Sequence, residues 1–230
     1  MQGLDELEQY LRTATILSSA GPVAGGGGHP GKQRLLLAGG VQVIAKPAIE
    51  REETHRMIRC EAAGWQVAKA MGFEGLVAAT VIRSIPDGNG EEIDASVQVF
   101  WPDGNQFCAL VEVFPEEDVW QAAAFDAVVL HADRGGNNWL SVPAPGAQEA
   151  PRLKLIDNGY AFEHGGNASV NSTFFNLLQG QELPENVTDG LQRLLDRWPV
   201  DELEDLLEPD VLDRLRERAH DLLQRGILGL

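Results

Sequence analysis

Cysteines, basic residues and long apolar runs are scarce in this sequence. Its two cysteines, Cys60 and Cys108, lie far apart, and neither has another Cys or a His at metal-ligand spacing. This pattern indicates neither a zinc site nor a disulfide framework, and it favours a reducing, cytoplasmic setting. No segment reaches the roughly 18 consecutive apolar residues of a membrane span, and residues 1–17 lack the basic start and apolar run of a signal peptide. We therefore expect no stable membrane association.

Acidic residues outnumber basic ones, 35 to 18, which gives a formal net charge of −17. A nucleic acid or an anionic membrane would be repelled by this charge unless a basic patch were concentrated locally. The densest basic cluster, residues 214–218, is interleaved with acidic residues and is typical of a solvated helix surface. We therefore expect no nucleic-acid partner. With 230 residues, 43% of them hydrophobic, the chain can bury one sizeable core or two small lobes that share a cleft.

The N-terminal pattern predicts a helix followed by a β-hairpin. Apolar residues spaced by three or four predict an amphipathic helix over residues 4–17. The helix-breaking pair Gly21-Pro22 would end it. Residues 35–46 predict two apolar strands that turn at residues 39–40, where two glycines stand. Lys46 then lies at the end of the second strand, a position where a lysine is most often simply exposed.

A carboxylate on the apolar side of the next helix changes that expectation for Lys46. Residues 50–71 have helical periodicity, and Glu61 falls on the same stripe as Trp65. Burying an unpaired charge costs several kcal/mol, so Glu61 should have a cation opposite it. Lys46 is the nearest candidate at an apolar strand end. The alternative is that Glu61 lies at the edge of the stripe and reaches water.

A glycine cluster at residues 25–28 allows three interpretations. Residues 26–32 fit the first part of a Walker phosphate loop, GxxxxGK, but Gln33 replaces the Ser or Thr that binds Mg²⁺, and strand-like residues follow instead of a helix. The cluster could otherwise be a surface loop or a glycine-rich flap over a nucleotide. The residues of such a flap would be Gly26, Gly27 and Gly28.

After residue 75, the sequence predicts strands, a helix and a β-hairpin, and from residue 187 onward it predicts only helices. Residues 115–130 form an increasingly apolar helix that leads into a polar, glycine-rich loop. A hairpin after that loop would bring Asp133, before its first strand, and Asp157, after its second, to the same end. The other predicted elements are strands at 76–85 and 95–101, the hairpin strands at 139–142 and 153–156, and helices from residue 187 onward.

The polar loop fits the catalytic loop of kinases. His131, Asp133 and Asn138 match H-x-D-x-x-x-x-N, and Asp157 with Gly159 matches a metal-binding Asp after a strand. Phosphoryl transfer from ATP needs metal ions and a lysine on the phosphates and a carboxylate near the acceptor hydroxyl. Each match is weak alone, but the order of strand Lys, helix Glu, loop Asp and Asn, and hairpin Asp is hard to produce by chance.

Residues 133–140 (DRGGNNWL) and 156–162 (IDNGYAF) resemble the catalytic and metal-binding loops of the type II phosphatidylinositol 4-kinases. More broadly, the sequence is similar to the phosphoinositide 3/4-kinase-like group, which includes HipA-type bacterial protein kinases. The resemblance implies an α+β, two-lobed, protein-kinase-like fold with ATP in the cleft. Its small β-rich N-lobe would be residues 1–101, and its mainly helical C-lobe, with a catalytic β-hairpin, would be residues 102–230.

The resemblance also implies roles for individual residues. Lys46 would contact the ATP phosphates and pair with Glu61, Asp133 would orient or deprotonate the acceptor, and Asn138 and Asp157 would hold Mg²⁺. The glycines of the flap would cover the phosphates. The linker that contacts the adenine would be formed by Gln98, Val99 and Phe100.

Departures from the type II lipid kinases bear on the acceptor. The cysteine-rich palmitoylation run is missing, the chain is shorter, and the charge is strongly acidic. These differences favour a kinase acting on a protein or small molecule over a phosphatidylinositol 4-kinase-type lipid kinase. A catalytically silent ATP-binding module and a nucleotidyl transferase remain alternatives. We expect His131 to be scaffolding, and Arg134 could contact phosphate or tie down the loop.

Overall fold

The structure, a computed structural model, describes residues 3–22, 31–49, 51–87, 89–105, 110–144, 146, 149–162 and 169–229. The predicted glycine-rich flap, with Gly26, Gly27 and Gly28, lies outside the described residues, as does Cys108. None of the helices in these described ranges is long and apolar enough to cross a membrane.

The N-terminal helix is shorter than its apolar periodicity predicts. Helix α1 spans Leu4–Thr13, and Ala14 already has extended backbone angles, φ −62° and ψ 136°. A strand begins at Ile16, so the prediction of helix to residue 17 is wrong, and residues 21–22 end that strand rather than the helix. The β-branched residues that follow the helix favour extended structure, and pairing with the next strand stabilises it.

Five antiparallel strands make up the N-terminal sheet. The predicted hairpin is confirmed, and it turns through Gly39 and Gly40 at φ 94° and 86°, a conformation that glycine adopts without steric cost. The strands are β1 (Ile16–Pro22), β2 (Gln33–Leu37), β3 (Gln42–Pro47), β4 (Thr80–Pro86) and β5 (Glu92–Val99). Their order across the sheet is β1-β2-β3-β5-β4.

One face of this sheet packs on a hydrophobic cluster, and the other carries Lys46. Val43 and Ala45 of β3 are buried together with Leu11 of α1 and with Trp65. Because successive side chains of a strand point to opposite faces, Lys46 extends from the face opposite Val43 and Ala45. The sheet therefore separates its apolar packing from its charged residue.

Helix α2, Glu52–Met71, contacts both hydrophobic clusters of the molecule. Trp65 is part of the cluster under the N-terminal sheet, whereas Cys60, Ala63 and Val67 belong to the cluster of the C-terminal helices. The helix ends at Gly72, which takes the left-handed conformation at φ 77°. Glu61 therefore lies on an element that both parts of the fold hold in place.

The C-terminal part is mainly helical and contains a two-stranded hairpin, as predicted. The hairpin strands β6 (Trp139–Val142) and β7 (Arg152–Leu155) pair with Trp139 opposite Leu155. The N–H of Leu155 also donates to the carbonyl of Leu76 over 2.8 Å, which ties the hairpin to the segment before β4. The helices are α3 (Glu116–Val128), α4 (Thr173–Leu178), α5 (Glu185–Asp196), α6 (Val200–Glu204) and α7 (Pro209–Arg225).

This architecture confirms the predicted fold class, a small β-rich N-terminal part and a mainly helical C-terminal part with a β-hairpin. The boundary between the lobes, placed by sequence at residues 101–102, stays a prediction.

Candidate active site

Lys46, Glu61 and Asp157 come together from three separate elements. Lys46 lies near the end of β3, Glu61 in the middle of α2, and Asp157 two residues after the end of β7. The Lys46 ammonium forms an ion pair with Oε1 of Glu61 and lies 2.9 Å from Oδ1 of Asp157. The Glu61 side chain is 2% exposed and that of Lys46 is 7% exposed. The ion pair expected from the sequence is therefore confirmed, and the alternative that Glu61 reaches water is wrong.

The protonation of these three groups follows from one cation shared by two carboxylates. Burial by itself lowers the pKa of Lys46, but Glu61 and Asp157 reverse this effect and raise the pKa above its usual value. Burial raises the pKa of Asp157 by itself, and the Lys46 charge lowers it to about 2. For Glu61, burial and the charge of Asp157 raise the pKa in spite of Lys46. Lys46 is thus firmly protonated, because both carboxylates stabilise its positive charge.

The segment after Asp157 packs directly on α2. The N–H of Asn158 donates to Oε2 of Glu61 over 3.0 Å, so both carboxylate oxygens of Glu61 are engaged. A Cβ added to Gly64 would lie 3.2 Å from Cβ of Asn158, and one added to Gly159 would lie 3.1 Å from Cε of Met57. Glycine at these two positions allows the close approach that brings the Asn158 amide to Glu61.

Asp157 has a backbone conformation that is uncommon for a residue with a side chain. Its angles are φ 61° and ψ 60°, in the left-handed region, which costs on the order of 1 kcal/mol for a non-glycine residue. The carbonyl of Asp157 is 3.1 Å from Nε2 of His131. The surrounding contacts therefore fix an unfavourable backbone conformation at the position predicted to bind a metal.

His131 joins the two loops of the site as a neutral ring. It is fully buried, and burial lowers its pKa to about 2. Its Nδ1 accepts the N–H of Asp133 over 3.2 Å, so the ring proton is on Nε2, which donates to the carbonyl of Asp157. The expectation that His131 is scaffolding is confirmed.

Asp133 and Asn138 are in contact within the polar loop. The amide nitrogen of Asn138 donates to the backbone carbonyl of Asp133 and lies 3.3 Å from its carboxylate oxygen Oδ2. Asn138 is 7% exposed, whereas Asp133 is exposed. The carboxylate of Asp133 is thus accessible to another molecule, while Asn138 holds the loop around Asp133 in place.

Arg134 connects the loops of the site and does not face solvent. Its Nε donates to both carboxylate oxygens of Asp126, over 3.1 and 3.2 Å. Its Nη1 donates to the carbonyls of Asn138 and Ile156, and its Nη2 donates to Oδ1 of Asn158 over 2.7 Å. The side chain is 0% exposed. Of the two roles that the sequence left open, the structure supports tying down the loop.

Asp126 is a residue of the site that the sequence patterns did not identify. It lies on α3, is 0% exposed, and also accepts a hydrogen bond from the Ser172 hydroxyl over 2.7 Å. Burial raises its pKa, and Arg134 and Ser172 oppose this effect only in part. The signal was available: like Glu61, Asp126 is a carboxylate within a run of apolar helical residues, here 122–128, and it requires a buried donor opposite it.

The predicted linker residues lie at the end of β5. Gln98 is 6% exposed and donates its side-chain amide to the Thr80 hydroxyl over 3.2 Å. The backbone N–H of Val99 donates to Ala79, and that of Phe100 donates to Gln42, over 3.1 and 3.0 Å. These two N–H groups are therefore used within the sheet.

The structure also bears on the GxxxxGK pattern. Gln33 begins strand β2, and no helix follows Lys32, which excludes a Walker phosphate loop at this position. The charge of Lys32 nevertheless acts on Asp157 and contributes to its low pKa. Lys32 is thus a second cation, besides Lys46, whose charge favours the ionised form of Asp157.

The oxygen ligands that Asp157 and Asn138 offer suit Mg²⁺ bound together with phosphates, and they are too few for a metal ion held by protein side chains alone. Among the described residues, no group of three or more His, Cys, Asp or Glu side chains could hold a metal ion. Mg²⁺ prefers oxygen ligands and is commonly bound by one or two protein groups together with substrate phosphates and water. Asp157 offers a carboxylate of low pKa, and Asn138 offers an amide oxygen, since its amide nitrogen is engaged with Asp133.

Comparison with solved structures finds the same fold in a kinase. A crystal structure of the Golgi casein kinase with Mn and ADP bound aligns with a TM-score of 0.64 at 13% sequence identity, over 96% of this chain and 74% of that chain. Another crystal structure of the Golgi casein kinase aligns with a TM-score of 0.63 at 13% identity, over 97% and 76% of the two chains. Comparison of the sequence with protein-family models and with curated proteins finds no match.

These alignments show a kinase-like fold, which is the coarser part of what the motif resemblance implied. They do not single out the phosphoinositide 3/4-kinase branch or the HipA-type branch. At 13% identity, the likeness concerns the fold alone.

Proposed function

We propose that this chain is a phosphotransferase that transfers the γ-phosphate of ATP to a hydroxyl group of a protein or small molecule. The observation that carries this proposal is the position of Lys46 between the carboxylates of Glu61 and Asp157. A structural ion pair needs one carboxylate. The second carboxylate is partly exposed and has a low pKa, which suits a group that holds a metal on a phosphate.

The residues divide the work of phosphoryl transfer, which consists mainly of positioning and charge neutralisation. Lys46 contacts the phosphates, and Glu61 holds the Lys46 ammonium in place and keeps it charged. Asp133, which is exposed, orients the acceptor hydroxyl and accepts its proton. When bound, Mg²⁺ would be held by Asn138 and Asp157 and would neutralise charge on the phosphates.

The fold and the acidic charge support finer parts of the proposal. The Golgi casein kinase structure contains Mn and ADP, which favours use of a nucleotide and a divalent cation by a chain of the same fold. A net charge of −17 disfavours approach to an anionic lipid surface, so we propose a protein or small-molecule acceptor over a phosphoinositide. We place the site in a cleft between lobes at residues 1–101 and 102–230, with the adenine beside Gln98, Val99 and Phe100.

A labelling experiment tests the proposal. The protein is incubated with ATP labelled at the γ-phosphate and, separately, at the α-phosphate, with Mg²⁺ and candidate acceptors. We expect transfer of the γ label, with at least about a hundredfold slower transfer in Asp133→Asn, because a positioned base contributes that much. Asp189→Asn, which changes an exposed residue of α5, is the matched control.

Three other results would contradict parts of the proposal. Transfer of the α label would show nucleotidyl transfer, and binding of ATP without transfer of either label would show a catalytically silent module. Phosphorylation of phosphatidylinositol vesicles in preference to any protein or small molecule would overturn the acceptor class.

A further inference from the structure

Helix α1 makes a polar contact with α2 that the proposed catalytic roles do not use. Glu8, only 9% exposed, accepts hydrogen bonds from Nε1 of Trp65 over 2.8 Å, from Nε2 of Gln66 over 3.3 Å and from Nζ of Lys69 over 2.7 Å. All three donors lie on α2. One buried carboxylate of α1 therefore holds two consecutive turns of the helix that carries Glu61.

The charge and burial of these groups make the contact specific. Burial raises the pKa of Glu8 by itself, but hydrogen bonds from Lys69 and Trp65 lower it below its usual value, so Glu8 is ionised. The side-chain amide oxygen Oε1 of Gln66 has no hydrogen-bond partner among the described residues, although Gln66 is only 3% exposed. Burying an unpaired polar oxygen costs free energy that an apolar side chain would avoid. The hydrogen bond from the Gln66 amide nitrogen to Glu8 accounts for a polar residue at this position.

Helix α1 is itself fixed to the sheet. The Arg83 guanidinium of β4 donates to the carbonyls of Leu11 and Ala14, over 3.1 and 2.8 Å. The Tyr10 hydroxyl donates to the carbonyl of Ala38 in the β2–β3 turn. Helix α1 is attached to the same sheet that carries Lys46. The hydrogen bonds of Glu8 therefore hold α2 at a fixed distance from Lys46.

The connection from Glu8 to the candidate site runs along one side of α2. Trp65 follows Glu61 by four residues, so the two side chains lie on the same face, one turn apart. A rotation or shift of α2 that breaks the bond between Trp65 and Glu8 would move Glu61 in the same direction. Glu61 would then lose its contacts with Lys46 and with the N–H of Asn158.

We propose that Glu8 is a positioning residue, which acts through Trp65, Gln66 and Lys69 to set the place of α2 and hence of Glu61 beside Lys46. The consequence for phosphoryl transfer rests on the proposed function. The positioning itself does not, since the hydrogen bond from the Asn158 amide to Glu61 reports it without any substrate.

Amide hydrogen exchange of Asn158, measured by NMR on the full chain without nucleotide, is therefore the test. We expect Glu8→Gln to lower the protection of the Asn158 amide by about tenfold, the effect of weakening a charge-assisted hydrogen bond. Protection of Leu222 in α7 should fall less, because that helix packs on α3, α5 and α6. The matched control, Glu6→Gln, removes an exposed acid of the same helix and should leave both amides unchanged.

The outcomes separate this proposal from the proposed function. Equal loss of protection at Asn158 and Leu222 would make Glu8 merely structural and would overturn the positioning role. If Glu8→Gln does not fold, Lys69→Met, which keeps the bond from Trp65, should give the same selective loss to a smaller extent. The rate of phosphoryl transfer is measured in parallel: selective loss at Asn158 without any transfer by the unaltered protein retains the positioning and contradicts the proposed function.

Discussion

Asp126 and Arg134 form an ion pair in which both side chains are 0% exposed. The pair joins α3 to the loop of Asp133, and the remaining donors of Arg134 reach the carbonyls of Asn138 and Ile156. One guanidinium thus sets the spacing between the loop expected to orient the acceptor and the loop expected to hold the metal.

Replacing Arg134 by Met should destabilise the fold strongly. The substitution leaves the Asp126 carboxylate buried without a cation, which typically costs about 3–5 kcal/mol. The free energy of unfolding, measured by urea denaturation, checks this value. The double variant Arg134→Met with Asp126→Leu should regain part of the loss. Arg225→Met, which removes an exposed pair with Asp221, should change stability by less than about 1 kcal/mol.

Replacing Lys46 by Met should affect both stability and activity. Glu61 would be left buried without its cation, so we expect a loss of about 3 kcal/mol in the free energy of unfolding. Phosphoryl transfer should fall at least about a hundredfold, because Lys46 no longer stabilises charge on the phosphates. Adding Glu61→Leu should restore part of the stability but none of the activity. Recovery of activity in the double variant would contradict a phosphate-binding role for Lys46.

His131 should make the protein sensitive to acid. Its pKa in the folded state, about 2, is far below the ordinary value of 6.5, so the unfolded chain binds a proton that the folded chain excludes. The stability associated with neutral His131 is complete above pH 6.5 and decreases as the pH falls below it, by about 1 kcal/mol per pH unit. Unfolding by urea at pH 7, 6 and 5 should show this slope, and His131→Gln should remove it. An equal slope in both proteins would refute the assignment.

Gly64→Ala sets two effects against each other. Alanine stabilises a helix interior by about 1 kcal/mol relative to glycine, but the new Cβ would lie 3.2 Å from the side chain of Asn158. We expect little change in the melting temperature and a clear loss of phosphoryl transfer, because Asn158 is pushed away from Glu61. Gly75→Ala, where a Cβ meets no atom within 4 Å, is the control and should keep full activity. Unchanged activity in Gly64→Ala would show that the loop tolerates the shift.

Local sequence patterns were sufficient for most elements of the fold. The turn at Gly39 and Gly40, the helix that carries Glu61, and the hairpin between Asp133 and Asp157 all follow from periodicity and turn residues. The prediction at the N-terminus was wrong because residues 14 and 17 continue a helical spacing by coincidence, whereas strand pairing stabilises β1. The spacing of apolar residues along residues 4–17 does not report the pairing of β1 with β2, because that pairing depends on residues 33–37.

For the candidate site, the sequence by itself determined which charged residues had to be buried and therefore paired. Glu61 on an apolar stripe required a cation, and Lys46 at the end of a strand was within reach. Only the tertiary structure decided that Asp157 shares that cation, that Arg134 ties the loops, and that Glu8 holds α2. The physical reason is that spacing along the chain reports burial of a face, whereas hydrogen-bond partners such as Glu8 and Trp65, 57 residues apart, meet only when the elements pack.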